Sequence, residues 1–143
     1  MKIQIKKLHP DAFLPRYGSA DAAGADLCSI EEATLAPGET KLIPTGLSMA
    51  IPRGYGGFIF ARSGLATKRG LAPANKVGVI DADYRGEILI SLYNQSKETQ
   101  TIEKGERIAQ MVFLPCPQGI FIETDTLSET ARADGGFGST GKK

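Results

Sequence analysis

The sequence predicts an all-β domain, a sandwich or barrel of short strands, and three observations predict it. Polar and apolar residues alternate with period two in several segments, and turn signals recur about every ten residues between them. Seventeen Gly and eight Pro punctuate a chain of only 143 residues. That density is unfavourable inside helices and natural at tight turns. With 41% hydrophobic residues the chain can bury one core, and its length fits a single domain.

Taken in order, Lys2-Ile3-Gln4-Ile5-Lys6 reads as the first strand, its isoleucines on one face. Ile43 to Ile51 keeps its bulky residues on odd positions and reads as one strand. Shorter candidates are Gly57 to Phe60, Val77 to Ile80, Glu87 to Tyr93, Thr99 to Ile102 and Ile108 to Leu114. Turn signals separate them at Ala36-Pro37-Gly38-Glu39, Ile51-Pro52-Arg53-Gly54, Asn94-Gln95-Ser96 and Glu103-Lys104-Gly105-Glu106. One helical segment is predicted, Ser63 to Arg69, with Ser63 as its N-cap. After Glu123 the chain turns polar, and it ends Gly135-Gly136-Phe137-Gly138-Ser139-Thr140-Gly141-Lys142-Lys143. The expected division is a β-rich core over residues 1–126 and a flexible Gly-rich arm over 127–143. A terminal segment this rich in Gly stays mobile unless something docks it. Phe137 in its middle needs a partner surface.

Composition narrows the function. One His and two Cys argue against a His/Cys zinc site and against a Cys–His nucleophile. A formal net charge of +1 argues against a dedicated nucleic-acid binder. No apolar run approaches a membrane span or a signal core, and Cys28 and Cys116 read as two buried free thiols of a cytoplasmic protein.

Five segments place chemically capable residues at Gly-containing turns: Ala23-Gly24-Ala25-Asp26-Leu27, Ala61-Arg62-Ser63-Gly64-Leu65-Ala66, Gly78 to Ile88, Gly105-Glu106-Arg107-Ile108-Ala109-Gln110-Met111, and Arg132 to Gly141. In the second, a guanidinium, a hydroxyl and bare backbone amides suit an anion. In the third, Asp81 and Asp83 follow an apolar strand, and in extended geometry both would point to one face. A carboxylate there suits a magnesium ion, a water or a sugar hydroxyl, although a hairpin with an acidic turn has the same pattern. Gln110 lies inside an apolar strand and needs a partner for its amide. Cations for phosphate oxygens, carboxylates for a metal or water, and an aromatic for a base describe a polyphosphate site. Direct attack of water on phosphorus is the economical mechanism, carried by positioning and electrostatics.

In this order the five segments resemble the five motifs of the trimeric dUTP diphosphatases (dUTPases), from near Ala20 to the C-terminus. The resemblance implies a jelly-roll-like, β-clip fold assembled as a homotrimer with active sites at subunit junctions. It implies hydrolysis of dUTP to dUMP and pyrophosphate with Mg2+, which keeps uracil out of DNA and supplies dUMP for thymidylate synthesis. By that likeness Asp81 would hold the attacking water and bond the 3′-hydroxyl, and Tyr84 would exclude a ribose 2′-hydroxyl. Asn75, in the hairpin before the third motif, would read uracil. Arg62, Ser63 and Gly64 would bind the phosphate chain and Gln110 the α-phosphate, while Asp26 would hold the metal through water. Arg132, Ser139 and Thr140, with Gly138 beside them, would grip the γ-phosphate while Phe137 stacks over uracil. Two departures are visible: Ala61 where many members have Pro, and Ala133-Asp134 where Gly is usual after the Arg. A dCTP deaminase shares the implied fold but needs a glutamate poised over the cytosine ring. A non-catalytic trimeric β module need not keep Asp81 with Tyr84.

Overall fold

The computed structural model describes residues 1–136. Within them the strands run β1 (Gln4–Lys7), β2 (Arg16–Tyr17), β3 (Ala25–Cys28), β4 (Ala33–Leu35), β5 (Thr40–Pro44), β6 (Leu47–Ala50) and β7 (Tyr55–Phe60). A short helix α1 (Ser63–Arg69) leads to β8 (Leu71–Pro73), β9 (Gly78–Ile80), β10 (Leu89–Asn94), β11 (Gln100–Ile102) and β12 (Arg107–Pro115). The predicted all-β class is therefore observed. The principal sheet has the order β2-β3-β12-β7-β9; a second joins β5-β10-β8, and β1-β6 and β4-β11 form two-stranded ribbons. Every pairing is antiparallel. Among the described residues no helix is long and apolar enough to cross a membrane.

Period-two alternation builds the core. In β10 Ile90 and Leu92 are buried while Ser91 and Tyr93 are only partly covered. Leu27, Ile43, Leu47, Ile108 and Met111 join them, all at or near zero exposure. Asn94 is fully buried but satisfied: Nδ2 donates to the carbonyls of Leu35 (3.0 Å) and Glu98 (2.8 Å), and Oδ1 accepts from Ser96 N–H and Oγ. A buried amide with all its bonds met specifies one arrangement of the turn it anchors.

Five expectations are corrected. Ile43 to Ile51 is not one strand: Gly46 has φ +67° and breaks it into β5 and β6, which belong to different sheets. Leu8 N–H donates to the Gly46 carbonyl at 2.8 Å, and the turn is closed from the other side by Glu87. The helix spans Ser63–Arg69 as expected, but Arg62 is its N-cap, with extended φ −86° and ψ 124° and no side-chain cap bond. Asp81 and Asp83 are not on an extended strand, because Tyr84 N–H donates to the Asp81 carbonyl (3.2 Å) and closes a turn. Asn75 is not in a hairpin, since β8 pairs with β10 and β9 with β7. The two cysteines are free, and both are partly exposed where burial was expected.

Candidate active site

Two strands and the start of α1 converge on one cleft. Ala25, Asp26 and Leu27, read from sequence as part of a Gly-containing turn, join Cys28 in β3, with Ala25 and Leu27 in the core and Asp26 and Cys28 on the opposite face. On β12 Gln110 stands opposite Asp26. Arg62 reaches across, its Nε donating to Asp26 Oδ1 at 2.8 Å and its Nη1 to the Arg107 carbonyl at 3.1 Å. Arg107 Nη1 donates to Asp26 Oδ2 at 3.1 Å. One carboxylate thus sits between two guanidiniums, and the group carries net positive charge. The same cleft, about 250 Å³, is lined by Ser63, Gly64 and Gly24.

Gln110 has the partner its place in an apolar strand requires. Its Nε2 donates to the Ala61 carbonyl at 2.9 Å, which fixes the amide and aims Oε1 toward Gly24. A Cβ at position 24 would lie 2.6 Å from that oxygen, so glycine is needed there for space rather than for backbone freedom. Gly64 differs: nothing lies within 4 Å of where its Cβ would be, and its backbone faces open solvent.

The loop after β9 is held by its backbone. Ser48 Oγ donates to the Arg85 carbonyl at 2.7 Å, and the fully buried Thr45 donates through Oγ1 to the Ile88 carbonyl at 2.7 Å. Ile88 N–H donates to the Leu47 carbonyl, and Gly46 N–H to Glu87 Oε1 at 2.7 Å. Arg85 Nη1 ties back to the carbonyls of Ala82 and Tyr84. This frame leaves the Asp81 carboxylate exposed at the end of β9. The Tyr84 ring packs over Gly86, and its hydroxyl donates to the Glu87 carbonyl at 3.0 Å. A Cβ at Gly86 would lie 2.3 Å from Tyr84 Oη.

A single chain distributes the predicted residues over separate surfaces. Asp26, Arg62, Ser63, Gly64 and Gln110 share the cleft already described. Asp81 lines a groove of about 900 Å³ with Arg53, Tyr55, Asp83, Arg85 and Gln118, none of them in the first cleft. Asn75 is exposed beside a small hollow of about 80 Å³ with Ile59, Gly78 and Ile80. Its turn places Lys76 at φ +64°.

Among the described residues no cluster of three His, Cys, Asp or Glu exists that could chelate a metal. Asp26 alone, 14% exposed and held by two arginines, fits an outer contact through water to an ion carried by a phosphate chain. Magnesium retains several of its waters when bound by one carboxylate and substrate phosphates. Arg132 is exposed, and its Nε donates to the Gly135 carbonyl at 2.8 Å. Ala133, one of the departures, has φ +47°, a region that favours glycine. Phe137, Gly138, Ser139 and Thr140 lie outside the described residues.

Sequence reasoning overlooked Arg107, and with it Thr45 and Ser48. The parity of β12 hides the first, and the other two act from a separate segment. Burial raises the pKa of the Cys28 thiol, as does the neighbouring Asp26 charge, against Arg107, Arg62 and Arg16.

A family model described as dUTPase matches residues 11–141. A deoxyuridine 5'-triphosphate nucleotidohydrolase of Nautilia profundicola is 53% identical over 142 residues, covering 99% of this chain and all of that protein. One of Desulfitobacterium hafniense is 52% identical over 146 residues, covering 99% and 97%. Among solved structures, a mutant dUTPase of Staphylococcus bacteriophage 80alpha with dUpNHpp aligns with TM-score 0.92 and 30% identity over 98% of each chain. A mutant phage phi11 dUTPase, described for its coordination of a structural Mg(II) ion, aligns at 0.82 and 26% identity, covering 88% of this chain and 98% of that one.

Proposed function

This chain belongs to the dUTPase family and is a dUTP diphosphatase, and on that premise we propose how its residues perform the reaction. The observation that carries the proposal is the cationic cleft, where Arg62, Ser63, Gly64 and Gln110 converge around Asp26. It suits a chain of phosphates, while Asp81 stands ready on another surface for the water.

Arg62, Ser63 and the open backbone at Gly64 bind the phosphate chain, and Gln110 orients the α-phosphate. Asp81 accepts a proton from water as its oxygen bonds to the α-phosphorus. The bond from that phosphorus to the bridging oxygen breaks, releasing pyrophosphate and leaving dUMP. Asp81 also bonds the 3′-hydroxyl, Tyr84 occupies the space a 2′-hydroxyl would need, and Asn75 reads uracil. Asp26 would hold a magnesium ion through water; when bound, that ion neutralises phosphate charge. Residues 127–143 form an arm on which Arg132, Gly138, Ser139 and Thr140 reach the γ-phosphate and Phe137 covers uracil, closing the site against water.

Asp81 and the phosphate cleft lie on different surfaces of one chain. That separation supports a homotrimer whose sites are completed at subunit junctions. Two free thiols support a reducing, cytoplasmic setting, where the reaction limits uracil in DNA and supplies dUMP. The test is pyrophosphate release with magnesium across dUTP, UTP and dCTP. Release from dUTP alone is expected, and equal turnover of UTP overturns the role of Tyr84. Truncation after Thr126 is expected to leave a folded protein with greatly reduced activity; unfolding would make the arm structural.

A further inference from the structure

Arg107 reaches the cleft through an irregularity in β12. From Met111 to Ala109 the register against β3 is regular, with Gln110 opposite Asp26. Continued without interruption, it would set Ile108 opposite Cys28. Instead Arg107 stands there, because one extra residue has been taken up between Arg107 and Ala109. Ile108 and Ala109 are both fully buried, so the extra residue is absorbed on the core side. This bulge puts Arg107 on the face of Gln110 and Asp26, where plain alternation would point it away.

The two arginines on Asp26 are unequal. Arg62 is 26% exposed and spends Nε on the carboxylate and Nη1 on a backbone carbonyl. Arg107 is 56% exposed, and among the described residues its guanidinium makes one hydrogen bond, Nη1 to Asp26. A guanidinium carries five N–H donors, and Arg107 lines the cleft with one of them engaged by Asp26. Asp26 balances one positive charge of the pair, and the second is left for a ligand.

We propose that Arg107 binds the triphosphate chain of the substrate, its bulge-delivered guanidinium donating to phosphate oxygens beside Ser63 and Gln110. The proposal rests on the dUTP diphosphatase reading above. It predicts recognition of phosphate and no part in reading the nucleoside.

The experiment uses two competitive inhibitors of dUTP hydrolysis, inorganic tripolyphosphate and deoxyuridine. In Arg107→Gln the inhibition constant for tripolyphosphate is expected to rise roughly tenfold or more, the weight of a charge-assisted hydrogen bond. That for deoxyuridine stays unchanged. An unchanged tripolyphosphate constant overturns the proposal, and an equal rise in both reduces Arg107 to a structural role. Should Arg107→Gln not fold, wild-type protein serves. Tripolyphosphate is expected to protect Arg107 from phenylglyoxal, read by peptide mass, and full modification in its presence overturns the proposal. Wild-type protein that releases no pyrophosphate from dUTP overturns the underlying reading instead.

Discussion

A Cβ at Gly24 would lie 2.6 Å from Oε1 of Gln110, within the cleft that both residues line with Asp26 and Arg62. Gln110 cannot retreat without losing its 2.9 Å bond to the Ala61 carbonyl. Gly24→Ala is therefore expected to displace the amide and lower kcat for dUTP about a hundredfold, the scale of a misplacement near one ångström. Steady-state kinetics beside a thermal melt check it; a fall in Tm with normal kcat would contradict it.

Asp81→Asn is expected to keep the fold, since the side chain is exposed and its loop is held through backbone bonds. Turnover should fall about 10²–10⁴-fold, the range for losing a general base. Affinity for a non-hydrolysable dUTP analogue, measured by calorimetry, should stay close to wild type.

Gly86→Ala tests Tyr84 without touching it. The added methyl meets the Tyr84 ring at 2.3–2.9 Å and breaks the bond from its hydroxyl to the Glu87 carbonyl. With the ring displaced, preference for dUTP over UTP should fall about tenfold, a magnitude usual for one steric contact. The ratio of kcat/KM for the two nucleotides is the measurement.

Thr45→Val keeps shape and removes a hydroxyl that bonds the Ile88 carbonyl and accepts from Leu47 N–H. With both left unpaired in a buried place, stability should drop by about 1–3 kcal/mol. Urea denaturation reads the loss. Thr45→Ser, which keeps the hydroxyl, should recover most of it.

Cys28 gives a pH dependence with a defined sign. Burial raises its pKa above the ordinary 9.0, so the folded state holds the thiol proton more tightly than the unfolded chain. The resulting stabilisation is complete below the ordinary value and is lost as pH climbs through the raised one. The urea midpoint of wild type relative to Cys28→Ala should stay constant around neutrality and fall in the alkaline range.

Most strands were legible as period-two patterns bounded by Gly and Pro, because those patterns report burial on one face. What was lost was information held between distant segments. Ile43 to Ile51 alternates without a break, yet Gly46 turns because Leu8 and Glu87 bond it from elsewhere. Ser63 carries the side chain of a cap, but Arg62 takes the position with its side chain drawn to Asp26. Ala25 to Cys28 does alternate, and its strand was hidden under the turn-like Gly24-Ala25-Asp26. In the site, Asp26, Arg62 and Gln110 were legible from their residue types. Arg107 was not, since a bulge shifts its parity and leaves no mark in the pattern.

The hydroxyls of Ser48 and Thr45 close on carbonyls at Arg85 and Ile88, groups that every amino acid supplies. At those two points the frame of the loop after β9 is indifferent to which side chains the loop displays, whereas Glu87, whose Oε1 accepts from Gly46 N–H, is part of the frame. Substitution at the exposed Asp81 or Asp83, whose side chains hold none of these bonds, can change the chemistry the loop offers while its scaffold passes intact to descendants. Selection on chemistry and selection on architecture fall here on different residues, and a lineage can explore one without risking the other.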